Sequence, residues 1–207
     1  MTPPSPHRPV AEPTLVLASA SPRRRDLIAL LGRPFEVVVT EVDETVEAGE
    51  SAFDHVARLA SAKALAAWER VGCDDGRWIV VGADTVVELD GAILGKPNGV
   101  DDARATLRRL SGREHHVLSG VTILHGTADT EPIAFVERTT VRFVALTDDQ
   151  ISAYVASGEP LDKAGAYGIQ GVGGRFVAEI RGNYHNVVGL PLASVAAALD
   201  AIAPQPD

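Results

Sequence analysis

The chain has 207 residues and a formal charge of −9, with 45% hydrophobic, 23% charged and only 5% aromatic side chains. So acidic a balance argues against general nucleic-acid binding, which needs a basic face to displace counterions, yet leaves room for a phosphorylated small molecule held by a few placed cations. One cysteine, Cys73, excludes an internal disulfide and a cysteine-based zinc site, and no apolar run reaches the ~20 residues that span a bilayer, so the chain reads as cytoplasmic with no membrane partner.

Residues 1–13 carry five prolines and no periodicity and read as a disordered tail, with a similar tail at 204–207 and one domain over 14–203 between them. Residues 15–18 read as a short buried strand. A hydroxyl-bearing turn and a helix over 23–31 follow, the latter opened by Pro22 and three arginines. Pro22 suits a first helical position, where its missing N–H would be unpaired anyway. Unpaired N–H groups, the helix dipole, Ser19, Ser21, Arg23 and Arg24 then converge as a phosphate cradle; a capped helix with solvated arginines, Arg25 among them, is the plainer alternative.

A β-rich run at 35–39 leads to the carboxylate cluster Thr40-Glu41-Val42-Asp43-Glu44. Such oxygens suit hard divalent cations, or simply form a solvated acidic loop. The spacing of Val56, Leu59, Ala60, Ala64, Ala67 and Trp68 predicts a long helix over 53–71 with one apolar face. It also contains Lys63.

A buried strand is expected at 79–83, ending at Asp84-Thr85. Asp84 there would bind a metal or activate water, or would merely end the strand in an Asx-type turn. Runs at 86–89 and 92–94 flank Asp90-Gly91, a hairpin-turn dipeptide. Lys96, just beyond, would neutralise a phosphate or stand as a surface lysine.

Residues 100–110 read as a helix with acids in its first turn and arginines in its last. Strands at 117–124 and 133–144, a helix over 148–156 capped by Thr147, a glycine-rich structured loop at 158–174 and a helix at 194–202 complete the pattern. In the loop, Gln170 has an amide able to read a base edge, if the glycines are not purely structural. Adjacent His115 and His116 would point to opposite faces of a strand and not chelate one ion. His185 falls in a turn at 182–186. The whole is a mixed α/β fold.

Read together, Ser-Ala-Ser-Pro-Arg-Arg at 19–24, Glu-Val-Asp-Glu at 41–44, Gly-Ala-Asp-Thr at 82–85, Gly-Lys-Pro at 95–97, Leu-Ser-Gly at 110–112, the run at 157–171 and Gly-Leu-Pro at 189–191 resemble the Maf family of nucleoside triphosphate pyrophosphatases. The resemblance implies a Maf/inosine-triphosphatase-like mixed sheet flanked by helices, with two lobes around a central cleft. It implies hydrolysis of a nucleoside triphosphate to the monophosphate and pyrophosphate with a divalent metal cation, Mg²⁺ or Mn²⁺. Asp84 matches the catalytic proton acceptor. Ser19, Arg23, Arg24, Lys63 and Lys96 match phosphate-contacting positions. Asp43, where the family often carries Glu, joins Asp84 as a metal ligand.

Arg23, Thr85 and Gln170 match the positions that set substrate choice, in the pattern of the branch acting on dTTP and UTP. A nucleoside triphosphate is thus the expected partner, and a homodimer the expected assembly. Two alternatives stay open: another specificity such as 7-methyl-GTP, or a non-catalytic nucleotide-binding regulator of division, since the family is also linked to septum formation and division arrest.

Overall fold

The computed structural model describes residues 13–72 and 77–202. Both expected tails, apart from Pro13, lie outside the described residues, as does Cys73.

Strand β1 (Thr14–Ala18) runs into helix α1 (Pro22–Ala29), strand β2 (Phe35–Val37), the long helix α2 (Ala52–Val71) and strand β3 (Trp78–Leu89). A hairpin adds β4 (Ala92–Leu94), then α3 (Val100–Leu110), β5 (Glu114–His125), β6 (Ile133–Phe143) and α4 (Asp148–Ala156). Three 3-10 turns at 159–162, 164–166 and 172–176 precede β7 (Val177–Arg181), α5 (Tyr184–Val188) and α6 (Leu192–Ile202).

The strands form one mixed sheet in the order β2-β1-β3-β5-β6-β7, with β4 alongside β3. Pairing is parallel among β2, β1 and β3 and antiparallel elsewhere.

β3 corrects one sequence expectation. The two strands expected at 79–83 and 86–89 are one continuous strand of twelve residues, so Asp84 stands in mid-strand rather than at a strand end. What ends there is the neighbour. β1 pairs with β3 only as far as Ala18↔Gly82, and β4 takes up the same edge only from Val87↔Leu94. Residues 83–86 therefore lack a strand neighbour on that side among the described residues, while β5 pairs them on the other. The sheet opens at this gap, and the gap is the floor of the cleft described below.

Alternation along β3 sorts its side chains. Ile79, Val81 and Ala83 pack with α1 and α6 through Leu27, Ile28, Val195 and Leu199. Val80 and Val86 face α2 and meet Ala64, Ala67 and Val56. Gly82 and Gly120 lie where α2 crosses closest: a Cβ on Gly82 would stand 2.3 Å from the Ala60 carbonyl oxygen, and one on Gly120 2.2 Å from that of Val56. These two glycines let the α2 backbone rest on the sheet, which brings Lys63 within reach of β3.

A second lobe is built on Val87, Leu89, Val117, Val141 and Phe143 with α3, α4 and the 3-10 turns. The Asp90-Gly91 turn has positive φ at both residues (54° and 79°), as a two-residue type I′ hairpin demands. β7 and α5 are absent from the sequence expectations. β7 is a short, half-exposed edge strand with little periodic signal, and the turn expected at 182–186 is instead a five-residue helix capped by Asn183.

His115 points into the second core, with Nε2 2.9 Å from the Tyr167 hydroxyl and its ring edge-on to Phe143 and Tyr167. His116 pairs with Thr140. Burial, with a smaller push from His116, lowers His115 to about 4. Unfolded chain therefore takes up a proton near pH 6.5 that folded chain refuses until about pH 4, so acid favours unfolding across that window. The contribution is complete above pH 6.5 and falls by roughly 3 kcal/mol on descending to pH 4. Denaturant titrations at pH 7 and pH 4.5 check this: the stability difference between them shrinks in His115→Gln, which cannot titrate.

Candidate functional site

Between the two lobes lies a cleft of about 960 Å³, walled by the β1–α1 turn, α2, the open edge of β3, the segment after β4 and the glycine-rich loop. Ser19, Arg23, Arg24, Lys63, Asp84, Thr85, Lys96 and Gln170 all line it. Asp43 does not.

The β1–α1 turn is set by its hydroxyls. Ser21 caps α1, its side chain accepting from the Arg24 N–H, and Ser19 Oγ accepts from the Ser21 N–H at 3.2 Å. Successive residues on a helix point about 100° apart, so the three arginines diverge. Arg25 is exposed and does not line the cleft. Arg23 is half-buried and faces the other wall closely enough for its charge to help hold Asp162 below the ordinary carboxylate value, after the larger effect of Lys163.

Arg24 is buried and spends its fork inside the protein. Nε donates to the Gly189 carbonyl at 2.8 Å, Nη1 to Ser19 Oγ at 3.2 Å and Nη2 to Thr85 Oγ1 at 3.0 Å. Burial lowers its pKa, opposed by Asp84 and Glu44, but a guanidinium stays charged in proteins. Arg24 thus contributes a fixed positive charge and braces the turn against β3 and the chain before α6. A lysine has one donor group and cannot meet three divergent acceptors in this way.

The centre of the cleft is an ion triad. Lys63 Nζ lies 2.7 Å from Asp84 Oδ1 and 2.5 Å from Glu44 Oε1. Asp84 and Lys63 are buried, whereas the Glu44 side chain is 54% exposed. Burial pushes Glu44 up, but the hydrogen bond and charge of Lys63, with Lys96 and Arg24, outweigh it and hold the carboxyl below its ordinary value.

The acidic position reaching this centre is thus Glu44, one residue beyond the expected Asp43. Asp43 is exposed and turns back to accept from the Thr45 N–H at 2.9 Å, an Asx-type contact that points it away from the cleft.

The segment bearing Glu44 is tied to α2 at several points. Arg70 donates to the Val39 carbonyl. Arg58 donates to the Thr45 carbonyl and, through Nε at 2.6 Å, to Glu50, which also contacts His55 Nδ1 at 2.8 Å. Arg58 foremost holds Glu50 well below the usual carboxylate range. His55 lines the cleft. The sequence gives no sign of it, because a histidine on the edge of an apolar helix face looks like any other.

Thr85 points to the opposite face from Asp84. Its hydroxyl accepts from Arg24, lies 2.8 Å from Ser119 Oγ and donates to the Gly189 carbonyl at 3.2 Å. Ser119 stands directly across from Thr85 in the β3–β5 register and is another residue that sequence pattern does not reveal. Lys96 and Gln170 are exposed on the cleft wall. His185 is not among the lining residues.

A model of the Maf-like protein family matches residues 14–202. The chain belongs to the Maf-like protein family. This Maf-like chain is 49% identical over 179 residues to the dTTP/UTP pyrophosphatase of Bacillus thuringiensis subsp. konkukian (strain 97-27), covering 86% of itself and 90% of that relative. It is 50% identical, with the same coverage, to the dTTP/UTP pyrophosphatase of Bacillus cereus (strain B4264).

Among solved structures its fold matches the Ham1 protein of Staphylococcus aureus with a TM-score of 0.51 at 14% identity, over 92% of this chain and 100% of that one. A HAM1 protein from Coxiella burnetii gives 0.52 at 17% identity, over 91% and 99%. At such identities the likeness is one of fold alone: a mixed α/β sheet with flanking helices. Among the described residues no helix is long and apolar enough to cross a membrane.

Proposed function

We propose that this Maf-like chain hydrolyses dTTP and UTP to the monophosphate and pyrophosphate, and so limits the entry of unwanted pyrimidine nucleotides into nucleic acids. The observation that carries the reading is Lys63 held between Asp84 and Glu44 in a cleft whose wall is the Ser19–Arg23 turn. Cations and carboxylates gathered in one recess suit a triphosphate and the water that attacks it. The names of the two Bacillus relatives support the substrate choice, as do Arg23, Thr85 and Gln170 on the cleft wall.

Ser19, Arg23 and Lys96 would hold the phosphate chain, with Arg24 fixing the turn and adding charge behind it. Asp84 has one oxygen held by Lys63; the other would accept the proton of the attacking water as the oxygen bonds to the α-phosphorus and the bond to the pyrophosphate oxygen breaks. Lys63 keeps Asp84 oriented through their 2.7 Å contact, and its ammonium offsets charge as the leaving group departs.

A divalent cation fits these residues only in part. Among the described residues no three His, Cys, Asp or Glu side chains gather as a ligand set. Mg²⁺, however, commonly takes one or two carboxylates, with substrate phosphates and waters completing its shell. Asp84 and Glu44 supply two carboxylates at one point. A bound Mg²⁺ or Mn²⁺ would screen the phosphate charges and polarise the reacting phosphoryl group.

Pyrophosphate release from a panel of triphosphates tests the reading. dTTP and UTP are expected to turn over fastest, EDTA to abolish release and added Mg²⁺ or Mn²⁺ to restore it. Preferred turnover of 7-methyl-GTP would replace the specificity, and tight dTTP binding without pyrophosphate release would make the chain a sensor. A homodimer in the cytoplasm is the setting proposed for this activity, and sedimentation of the purified chain checks the assembly.

A further inference from the structure

We infer that Glu159, acting together with Tyr154, is a positioning residue for base recognition: it fixes the loop that presents Gln170 to the cleft. The inference rests on the nucleotide reading above and extends it to a carboxylate on the cleft wall and the phenol behind it.

Glu159 lies in the first 3-10 turn after α4. Its Oε1 accepts from the Tyr154 hydroxyl at 2.8 Å and from the Gly173 N–H at 3.2 Å, and its Oε2 accepts from the Val172 N–H at 2.9 Å. The Tyr154 oxygen in turn accepts from the Gly168 N–H at 3.0 Å. Three backbone donors that bracket Gln170, at 168 before it and at 172 and 173 after it, thus end on one carboxylate–phenol pair. At Gly171 the loop backbone lies directly against the carboxylate, since a Cβ there would stand 2.4 Å from Glu159 Oε1. Lys163 Nζ donates to the Glu159 carbonyl at 2.6 Å and pins the turn from behind.

Tyr154 is itself anchored, 2% exposed and edge-on to Phe176 in the second core. The staple therefore links the rigid lobe to the loop rather than one mobile segment to another. N–H groups donated to a carboxylate form charge-assisted bonds, about twice as strong as neutral ones. The side chain of Gln170 is exposed, so its direction is set by the backbone on either side. A site that selects a base by hydrogen bonds loses discrimination once the amide is misplaced.

The test compares a ligand that has a base with one that lacks it. Calorimetry gives Kd for the α,β-imido analogue of dTTP, whose scissile link resists hydrolysis, and for inorganic tripolyphosphate. In Glu159→Gln an amide NH2 replaces one oxygen and faces a backbone N–H, donor against donor. The analogue is expected to bind about ten-fold more weakly, and tripolyphosphate within about two-fold of the parent chain. Glu159→Asp keeps the charge on a shorter stem and is expected to fall between.

A purely structural role moves both ligands together or neither, and either result overturns the inference. So does a parent chain that binds the analogue no more tightly than tripolyphosphate. If Glu159→Gln does not fold, Tyr154→Phe, which deprives the Gly168 N–H of its acceptor, decides by the same pair of constants. A parent chain that binds the analogue tightly but releases no pyrophosphate from dTTP overturns the proposed hydrolysis, and the two-ligand comparison still decides the role of Glu159.

Discussion

Asp84→Asn is expected to lower kcat for dTTP by about 10²–10⁴-fold, the range a positioned general base contributes, with the fold intact. An amide keeps the shape of the side chain and leaves an oxygen for Lys63, but it cannot take a proton from water. Removing one partner of a buried ion pair often costs about 3–5 kcal/mol, because a bare charge is left behind. Here the cost is smaller, because Lys63 retains Glu44 at 2.5 Å.

The ammonium also loses one of its two neutralising neighbours, so a triphosphate meets a more positive cleft. At saturating Mg²⁺, KM is expected to stay level or fall. Steady-state kinetics beside a thermal melt separate these effects. Turnover close to that of the parent chain would remove Asp84 from the chemistry, and a collapsed melt would make its role one of folding.

How much of this was legible before the structure depended on where each signal lay. Helices with full apolar faces or matched charges at their ends, α2 and α3, read clearly because the 3.6-residue period and the dipole act locally. The Asp90-Gly91 turn read clearly because only a few residues accept two positive φ values. β3 read as two strands because the polar pair Asp84-Thr85 interrupts its apolar run. That interruption marks the site itself, where β1 has ended and the strand edge faces the cleft.

Asp43 and Glu44 show the limit of motif reasoning. Adjacent carboxylates are interchangeable in a sequence, and only the turn that ties Asp43 to the Thr45 N–H sends Glu44 to Lys63. Of the three arginines, the sequence puts Arg23 and Arg24 forward for phosphate and leaves Arg25 to solvent, without telling the first two apart. The helical rotation between them buries Arg24, aims Arg23 at the cleft and leaves Arg25 in solvent. Ser119 was invisible because its partner Thr85 lies 34 positions away, and His55 and Glu159 because nothing in the pattern sets a helix-edge histidine or a turn glutamate apart from any other.

Gly82→Ala is expected to damage stability and turnover together, and it tests why a glycine precedes the Asp84 segment of β3 at all. The added Cβ would lie 2.3 Å from the Ala60 carbonyl oxygen and 2.6 Å from the Ala64 amide nitrogen. Both are backbone atoms of α2, so no rotamer change relieves the clash and the helix must lift. Overpacking of this kind costs about 1–3 kcal/mol and occasionally more. At roughly 2–4 °C per kcal/mol for a chain of this size, the melting temperature is expected to fall by on the order of 5–10 °C.

Lys63 lies between Ala60 and Ala64 on the helix that lifts, so its 2.7 Å contact with Asp84 lengthens and kcat falls with it. Gly120→Ala supplies the comparison. Its Cβ would meet the Val56 carbonyl oxygen at 2.2 Å, two helical turns from Lys63. It is expected to destabilise by a similar amount while sparing more of the activity per folded molecule. Equal loss of activity in the two variants would mean that α2 moves as one rigid rod. A Gly82→Ala chain with the parent melting temperature and turnover would show that this close approach does not set the position of Lys63.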